Sequence, residues 1–286
     1  MVGAKKRKGL ESSGGPEEKS SIGATLLMVL SPAKSLDLSE DYSLHGLKVT
    51  SPCFEATFTK EIANVMKSHA KAGRIKQLLG LSPNLTTTAT KYWNNFAVDG
   101  RGETTKPCIF AFSGAAYQGL QVKTMDKEAL DNLQQKLRII DPVYGLLKPL
   151  DVIQPYRLEM ATKDIFTKGK NLTHFWKEPI KESLDSFKTP VVILNLASDE
   201  YWAAMGNDLP ANVTAVKVLF RHGGRVIAIH AKRARGLMAR YVAENNVQNV
   251  NDVKSFAEEG YSFNAGESSD TTFVFDRKDT KKQRKR

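Results

Sequence analysis

The sequence predicts an α+β protein, a single compact domain with a mixed sheet that spans about residues 25–276. Short, wholly apolar runs typical of buried strands alternate with longer segments of helical period. The alternation is too irregular for repeated strand–helix–strand units, and no repeat of fixed length is visible. No linker rich in Pro, Gly or Ser divides the span, so one domain is favoured over two.

The predicted strands are apolar runs that end at turn or helix signals. They are Thr25–Leu30, Cys108–Phe112, Val191–Leu196 and Phe273–Phe275. Val213–Phe220 and Arg225–His230 flank a turn with two glycines, which predicts a hairpin.

The predicted helices follow the 3.6-residue period. Residues 59–68 and 74–96 have helical spacing, and the second segment is interrupted at residues 80–83. Apolar residues at 130, 133, 137 and 140 predict a helix over Asp126–Ile140. Ala231–Asn245 is the last predicted helix, and a short one should begin near Ser198.

The net charge of +11 lies mostly in the two ends of the chain. Residues 1–24 carry a net charge of +2 and residues 276–286 carry +5. Both ends have few large apolar side chains, so residues 1–24 and 277–286 are expected to be disordered, basic tails. Their clusters KKRK and KKQRKR match nuclear addresses or nucleic-acid tethers, and a solvated tail is the alternative.

Several classes of protein are excluded on the sequence. The longest apolar run, Ala24–Leu30, is too short to span a bilayer. Cys53 and Cys108 form no disulfide framework, and with no signal or transit peptide evident we expect a cytoplasmic protein. The five histidines do not cluster, and no Walker A, GxGxxG, HExxH or GxSxG motif is present. We therefore expect no metal and no cofactor.

The helix at 231–245 carries a core stripe of Ala234, Leu237, Met238 and Tyr241. Its opposite side carries the cations Lys232, Arg233, Arg235 and Arg240. Gly236 lies in the middle of this basic arc, and a glycine there costs about 1 kcal/mol of helix propensity. A close approach to the backbone would explain it, and four cations of one sign suit a nucleic-acid phosphate backbone. The alternative is a solvated helix face with a tolerated glycine.

Residues 74–96 have the pattern of a helix–hairpin–helix unit. In such units an apolar-Gly-apolar turn, here around Gly80, directs backbone amides at a phosphate. Ser82 is the predicted N-cap of the second helix, and Lys76 and Lys91 could add cationic contacts. An ordinary turn between helices is the alternative.

Polar residues follow two of the predicted strands, where open sheets place their ligands. Lys34 and Asp37 follow the first strand, and Ser198, Asp199 and Glu200 follow Val191–Leu196. These side chains could share one pocket at the edge of the sheet, although acids also suit a first helical turn.

A further pair of candidates, Arg157 and Glu159, lies in a segment bounded by Pro155. Arg157 is either a clamp for phosphate or carboxylate or a buried structural partner of an acid.

Several stretches together resemble the YaaA family of peroxide-stress proteins. They are SPAKSLD (31–37), FSGAAYQGL (112–120), VYGLLKPLDVIQPYRLEM (143–160), NLASDEY (195–201), KRARGLMARY (232–241) and GYSF (260–263). The resemblance runs in order from about residue 26 to residue 276.

The resemblance implies a single domain of the cantaloupe fold, with a helix–hairpin–helix unit at 74–96 beside a basic cleft. Lys34, Arg157 and the cations of 232–240 would line that cleft. Bacterial relatives are cytoplasmic, are induced by hydrogen peroxide, limit iron-driven damage and bind duplex and branched DNA. Ala115 and Ala116 stand where relatives usually have Gly-Asp or similar, so an acidic group is missing here. The basic tails lie outside the family pattern.

The function we expect is therefore DNA binding in the peroxide response, protecting against iron-driven oxidative damage. Double-stranded or branched DNA is the expected partner, and a monomer is favoured. The alternative is an enzyme that acts on a small anionic or nucleotide-like substrate at the strand ends. An iron-handling protein is disfavoured because no ligand cluster is visible. A peroxide-reactive thiol is also disfavoured, since Cys108 is expected to lie in the core.

Overall fold

A computed structural model describes residues 23–99, 102–166, 171–206 and 208–278. The predictions of disorder, nuclear address and nucleic-acid tethering for the two tails fall almost wholly on residues 1–22 and 279–286. Those predictions lie outside the described residues.

Strands β1 to β11 have the following bounds: β1 Thr25–Leu30, β2 Ser35–Leu36, β3 Lys106–Pro107, β4 Phe112–Ser113, β5 Leu137–Asp141, β6 Gly145–Leu147, β7 Val152–Ile153, β8 Val191–Asn195, β9 Val213–His222, β10 Tyr261–Phe263 and β11 Thr272–Arg277. Helices α1 to α9 are α1 Lys60–Lys71, α2 Ile75–Leu79, α3 Pro83–Asn95, α4 Cys108–Ala111, α5 Ala115–Leu120, α6 Lys127–Lys136, α7 Leu172–Asp185, α8 Asp199–Trp202 and α9 Ala228–Glu244. A π-helical turn at Glu55–Thr59 leads directly into α1.

The main sheet is mixed, with the order β10-β11-β9-β8-β1-β5-β6. The five central strands, from β11 to β5, run parallel to their neighbours, and β10 and β6 pair antiparallel at the edges. β2 pairs with β4 and β3 with β7 in two small sheets. The predicted fold class, a single compact α+β domain with a mixed sheet, is confirmed.

The apolar runs of the sequence supply the centre of the core. Residues 26–30 of β1 are all buried, and β8 pairs with β1 along residues 191–195. Helix α9 packs on β9 and on both α5 and α6. The predicted strands at 25–30, 191–196 and 273–275 and the predicted helix at 231–245 are confirmed, with boundary shifts of at most three residues.

The predicted strand at Cys108–Phe112 is wrong. Residues 108–111 form the short helix α4, between the two-residue strands β3 and β4. All four residues of α4 are buried. A short apolar run that is buried on every side has no periodicity to distinguish helix from strand, and this explains the error.

The predicted helix over Asp126–Ile140 is correct only in its first part. Asp126 caps α6 by accepting a hydrogen bond from the Ala129 amide at 2.8 Å. The helix ends at Lys136, and residues 137–141 become β5, which pairs with β1. Leu137 and Ile140 fit the helical period by coincidence, while the β-branched pair Ile139 and Ile140 fits a strand.

The predicted hairpin after residue 213 is also wrong. β9 runs to His222, and both of its edges are taken by parallel neighbours, β8 and β11. A returning strand at residues 225–230 therefore has no edge to pair with. Instead, a single bridge joins His222 to Arg225, and the chain enters α9 at Ala228.

The segment at 74–96 contains two helices and a glycine turn. Gly80 ends α2 in the left-handed conformation, with φ at 60°, and Pro83 is the first residue of α3. Ser82 has the extended N-cap backbone, although its side chain makes no capping hydrogen bond. Because α2 has only five residues, the assignment as a helix–hairpin–helix unit stays a prediction.

The buried carboxylate of Asp141 organises the turn after β5. Its Oδ1 accepts hydrogen bonds from the amides of Val143 and Tyr144, at 2.8 and 2.9 Å. The Tyr156 hydroxyl donates to Oδ2. Burial raises the pKa of Asp141 to about 6, against the opposing effect of these three donors. The turn and the segment around Tyr156 are thus held together by one fully buried acid.

Candidate functional site

The candidate site begins where β1 and β8 end side by side. The two strands are parallel, with Met28 opposite Leu194 and Val29 opposite Asn195. The serines that follow the strands therefore meet: the Ser198 amide donates to Ser31 Oγ at 3.0 Å. The two hydroxyl oxygens are 3.3 Å apart. The prediction that the two strand ends share one edge of the sheet agrees with this geometry.

A pocket of about 430 Å³ lies at this edge, and we call it the strand-end pocket. It is enclosed by four chain segments: 30–35 after β1, 113–117 at the start of α5, 196–201 after β8 and 232–235 on α9. Its volume is in the range of small-molecule sites. The polar side chains that line it are Ser31, Lys34, Ser35, Ser113, Tyr117, Ser198, Glu200, Tyr201, Lys232 and Arg235.

Of the predicted pocket residues, Lys34, Ser198 and Glu200 line the strand-end pocket. Arg157 and Glu159 do not line the pocket but contact Lys34 from outside it. Glu159 Oε2 is 2.5 Å from Lys34 Nζ, and the Arg157 guanidinium donates to the Lys34 carbonyl at 2.8 Å. Arg157 is also 3.9 Å from Glu159. The pair thus positions the loop after β1, which favours the structural interpretation of Arg157.

The other two predicted acids point elsewhere. Asp37 forms ion pairs with Lys106 and Lys123, and hydrogen bonds from Ser39 hold the pKa of Asp37 well below its usual range. Asp199 is exposed and pairs with Lys217 at 2.8 Å. Neither carboxylate lines the strand-end pocket.

The four cations of α9 have different environments. Lys232 is exposed and lines the strand-end pocket, as does the largely buried Arg235. Arg233 pairs with Glu259 at 2.7 Å. Arg240 pairs with Glu244 at 2.6 Å and donates to the carbonyls of Leu120 and Gln121 at the end of α5. Arg233 and Arg240 therefore act as internal contacts rather than as a continuous cationic row.

The group that approaches Gly236 is the backbone of α5. A Cβ atom at Gly236 would lie 1.7 Å from the Ala116 carbonyl oxygen. The approach is reciprocal, since a Cβ at Gly119 of α5 would lie 2.2 Å from the Arg233 carbonyl oxygen. Gly236 is buried, so close helix packing accounts for the glycine that the sequence associated with a phosphate.

A second concavity, which we call the Gly80 hollow, has a volume of about 700 Å³. It lies between α2 with its glycine turn and residues 159–164. It adjoins the strand-end pocket in two places. Glu159 lines the hollow and pairs with Lys34, while the Ala161 amide of the hollow donates to Glu200 at 3.2 Å. The predicted nucleic-acid residues Lys76, Gly80, Ser82 and Lys91 are all exposed; Gly80 and Ser82 belong to the turn, while Lys76 lies on α2 and Lys91 on α3.

Sequence reasoning missed part of the pocket. Ser31, Tyr117 and Tyr201 were not identified, and Lys232 and Arg235 were assigned only to a nucleic-acid surface. Ser31 directly follows β1, and Ser198, which follows β8, lies beside it. The pairing of β1 with β8 would have indicated that Ser31 lies at the pocket, but the sequence does not reveal which strands are neighbours.

The two thiols are in contrasting positions. Cys108 is fully buried and donates to the carbonyl of Lys148 at 3.1 Å. Burial raises the pKa of Cys108 well above its usual value, which suppresses the thiolate needed for reaction with peroxide. Cys53 is exposed.

The described residues contain neither a metal-binding cluster nor a membrane-spanning helix. Within residues 23–99, 102–166, 171–206 and 208–278, no group of three His, Cys, Asp or Glu side chains could hold a metal ion. In those same ranges no helix is both long and apolar enough to cross a membrane.

The fold and the site define a single-domain α+β protein with a cationic pocket at the ends of its central parallel strands. A family model described as "Peroxide stress protein YaaA" matches residues 26–267. The chain belongs to this family.

Curated relatives match over nearly their whole length. A UPF0246 protein of Polynucleobacter necessarius is 38% identical over 263 residues, covering 90% of this chain and 100% of the relative. UPF0246 proteins of Burkholderia multivorans and Hahella chejuensis are 37% and 33% identical, and each alignment covers 88% of this chain and 99% of the relative.

Proposed function

We propose that this protein acts in the peroxide stress response by binding DNA on the face that carries the Gly80 hollow. Membership of the peroxide stress family supports the role in the response. The observation that carries DNA binding is the adjacency of the Gly80 turn to the cationic strand-end pocket, through Lys34 and Glu159.

The Gly80 turn has the chemistry for a phosphate contact. Ser82 makes no capping hydrogen bond, so the first amides of the 13-residue helix α3 are not occupied by that side chain. Free amides and the helix dipole favour an anion at this position. Lys76 and Lys91 are exposed on either side of the turn in sequence and add positive charge.

The expected mode is contact with the backbone of DNA rather than recognition of base sequence. Lysines and helix amides neutralise phosphates without reading bases. Affinity should therefore fall with salt, by about 0.9 log units per log unit of salt for each duplex phosphate contacted.

The test is fluorescence anisotropy with a labelled duplex and a four-way junction over a salt series. Lys76→Gln/Lys91→Gln should weaken binding to all sequences alike and reduce the salt slope by about 2, roughly one per lost contact. Lys181→Gln/Lys188→Gln is the matched control, because it removes the same charge from α7 and the loop that leads into β8. Lys188 precedes β8 and so lies at the opposite end of that strand from the strand-end pocket.

Two results would overturn the proposal. One is a wild-type chain that binds neither DNA form at low salt. The other is an equal loss of affinity in the Lys76/Lys91 and Lys181/Lys188 variants, because binding would then follow net charge instead of this surface.

A further inference from the structure

The strand-end pocket lies at a switch point of the main sheet. β1 and β8 are parallel neighbours in the sheet. The next parallel strand after β1 in the chain is β5, which lies on one side of the pair, and the next after β8 is β9, which lies on the other side. The connections after the two strands therefore diverge and leave a crevice at their carboxyl ends. Ligands of open sheets bind in such crevices.

The charge of the pocket is unbalanced. Along its lining, the described chain places three cations, Lys34, Lys232 and Arg235, and one carboxylate, Glu200. Glu200 is already engaged by the Ala161 amide, and Lys34 by Glu159 outside the pocket. An amide donor does not neutralise the carboxylate, so Lys232, Arg235 and Glu200 leave the pocket with a net charge of +1.

Arg235 is the least satisfied of these groups. Its Nε atom is buried and has no hydrogen-bond partner. Burial lowers the pKa of Arg235, and Asp199, the carboxylate that opposes this shift, is exposed and paired with Lys217. A buried donor without a partner destabilises a fold, so the unpaired Nε of an arginine that lines a pocket is most simply explained by an anion that binds there.

Two hydroxyl groups complete the lining for an oxyanion. Ser31 Oγ accepts from the Ser198 amide, and the two serine hydroxyls are 3.3 Å apart. The Tyr117 hydroxyl donates to the Ser31 carbonyl at 3.0 Å, which holds that residue in place. Because both hydroxyls contact each other, at least one O–H proton can be directed to a ligand.

The position of Arg235 restricts the kind of anion. An internal phosphate of a nucleic acid carries a nucleoside on both sides, so only two of its oxygens are free to pair with cations. A terminal phosphate or a free phosphate ester can enter with its oxygen atoms first. The three free oxygens of such a group also offer Lys232 and Arg235 separate partners.

We propose that the strand-end pocket binds a phosphomonoester group. Arg235 and Lys232 pair with its oxygens, and the free O–H of the Ser31 and Ser198 pair donates to it. The same chemistry is found in a free nucleoside monophosphate and at the 5′ end of a DNA strand. The phosphomonoester site is the pocket itself, whereas the proposed DNA contact is at the neighbouring Gly80 turn, so different variants test the two.

The test is calorimetric titration of the full chain with dAMP, together with anisotropy of a duplex that carries either a 5′-phosphate or a 5′-hydroxyl. Arg235→Met should weaken binding of the phosphomonoester at least tenfold. Lys232→Gln, an exposed change that leaves the core intact, should weaken it severalfold. Arg225→Gln, which removes an exposed arginine just before α9, is the control and should bind as the wild type does.

The outcomes separate the sources of the phosphate. Saturable dAMP binding with no preference for the 5′-phosphate duplex identifies a free nucleotide. A preference for the phosphorylated duplex that is lost in Arg235→Met identifies a DNA end. Wild-type protein that binds neither dAMP nor the phosphorylated end preferentially overturns the proposal, as does equal binding by Lys232→Gln and Arg225→Gln.

The Lys76→Gln/Lys91→Gln variant distinguishes this proposal from DNA binding at the Gly80 turn. It should retain dAMP binding while it loses affinity for duplex DNA. Failure of either assay alone therefore identifies which of the two proposals is wrong.

Discussion

Replacing Gly236 with alanine should destabilise the protein, although alanine is the better helix former. On an open helix face the change would stabilise the fold by about 1 kcal/mol. Here the new Cβ would lie 1.7 Å from the Ala116 carbonyl oxygen, half the 3.4 Å at which ordinary contact begins. The obstructing atoms belong to the α5 backbone and cannot rotate away, so the two helices must separate.

The size of the effect follows from two opposing contributions. Overpacking a well-packed site costs about 1–3 kcal/mol and occasionally more, and an overlap with backbone is at the upper end. After the gain in helix propensity we expect a net loss of about 2 kcal/mol or more. For a domain of this size that corresponds to a fall in Tm of roughly 4–8 °C.

The assay is urea unfolding followed by far-UV circular dichroism, with thermal unfolding in parallel. Gly119→Ala should behave similarly, because its Cβ would lie 2.2 Å from the Arg233 carbonyl oxygen. Gly266→Ala is the control: its nearest neighbour is 3.6 Å away, and a change within about 0.5 kcal/mol is expected.

The opposite result would refute the reasoning. If Gly236→Ala were as stable as the wild type or more stable, α5 would not cover this face. Weaker DNA binding in such a stable variant would then restore the interpretation that a phosphate approaches Gly236.

The remaining predictions concern single side chains. Because the pKa of Asp141 is raised to about 6 in the folded state, its contribution to stability is greatest in acid and is lost as the pH rises through 6. Chemical unfolding should therefore show Asp141→Asn gaining roughly 2 kcal/mol relative to the wild type between pH 4 and pH 7, and a constant difference would contradict the assigned burial. Arg235→Met should be at least as stable as the wild type in urea unfolding, because it removes a buried N–H donor that has no partner. Arg240→Met should cost about 1–2 kcal/mol in the same assay, since the α5 carbonyls lose their donor, whereas Lys232→Gln should be nearly neutral. A thiol reagent should label only Cys53 in the native protein and both cysteines in denaturant; native labelling of Cys108 would contradict its burial.

Local sequence was sufficient where one feature dominated a segment. The wholly apolar run at Thr25–Leu30 could only be a buried strand, and the segment of α9 was long enough for its 3.6-residue period to identify a helix. Prediction from local sequence failed where a short apolar segment fits both the helical and the strand period, as at Cys108–Phe112 and Leu137–Ile140. Those segments adopt the structure that the elements packed against them allow. The segment's own sequence does not show which elements those are.

The site shows the same division. The motifs around Lys34 and Ser198 indicated a pocket at strand ends, because polar residues directly after buried strands need a reason to be there. The partner of each charge could not be deduced. Glu159 lies 125 positions from Lys34 in sequence, and Glu259 lies 26 positions from Arg233. The positions of cations on a helical wheel therefore do not show which of them are paired with carboxylates from distant segments.

The sequence by itself determined the fold class, the main buried strands, the last long helix and the family. Only the tertiary structure decided that β1 and β8 are parallel neighbours, that Gly236 lies under α5 and that the buried Nε of Arg235 lacks a partner. The physical reason is that propensity and periodicity act over one helix or strand. Strand order, helix crossings and charge pairing are settled by contacts between distant segments when the core closes.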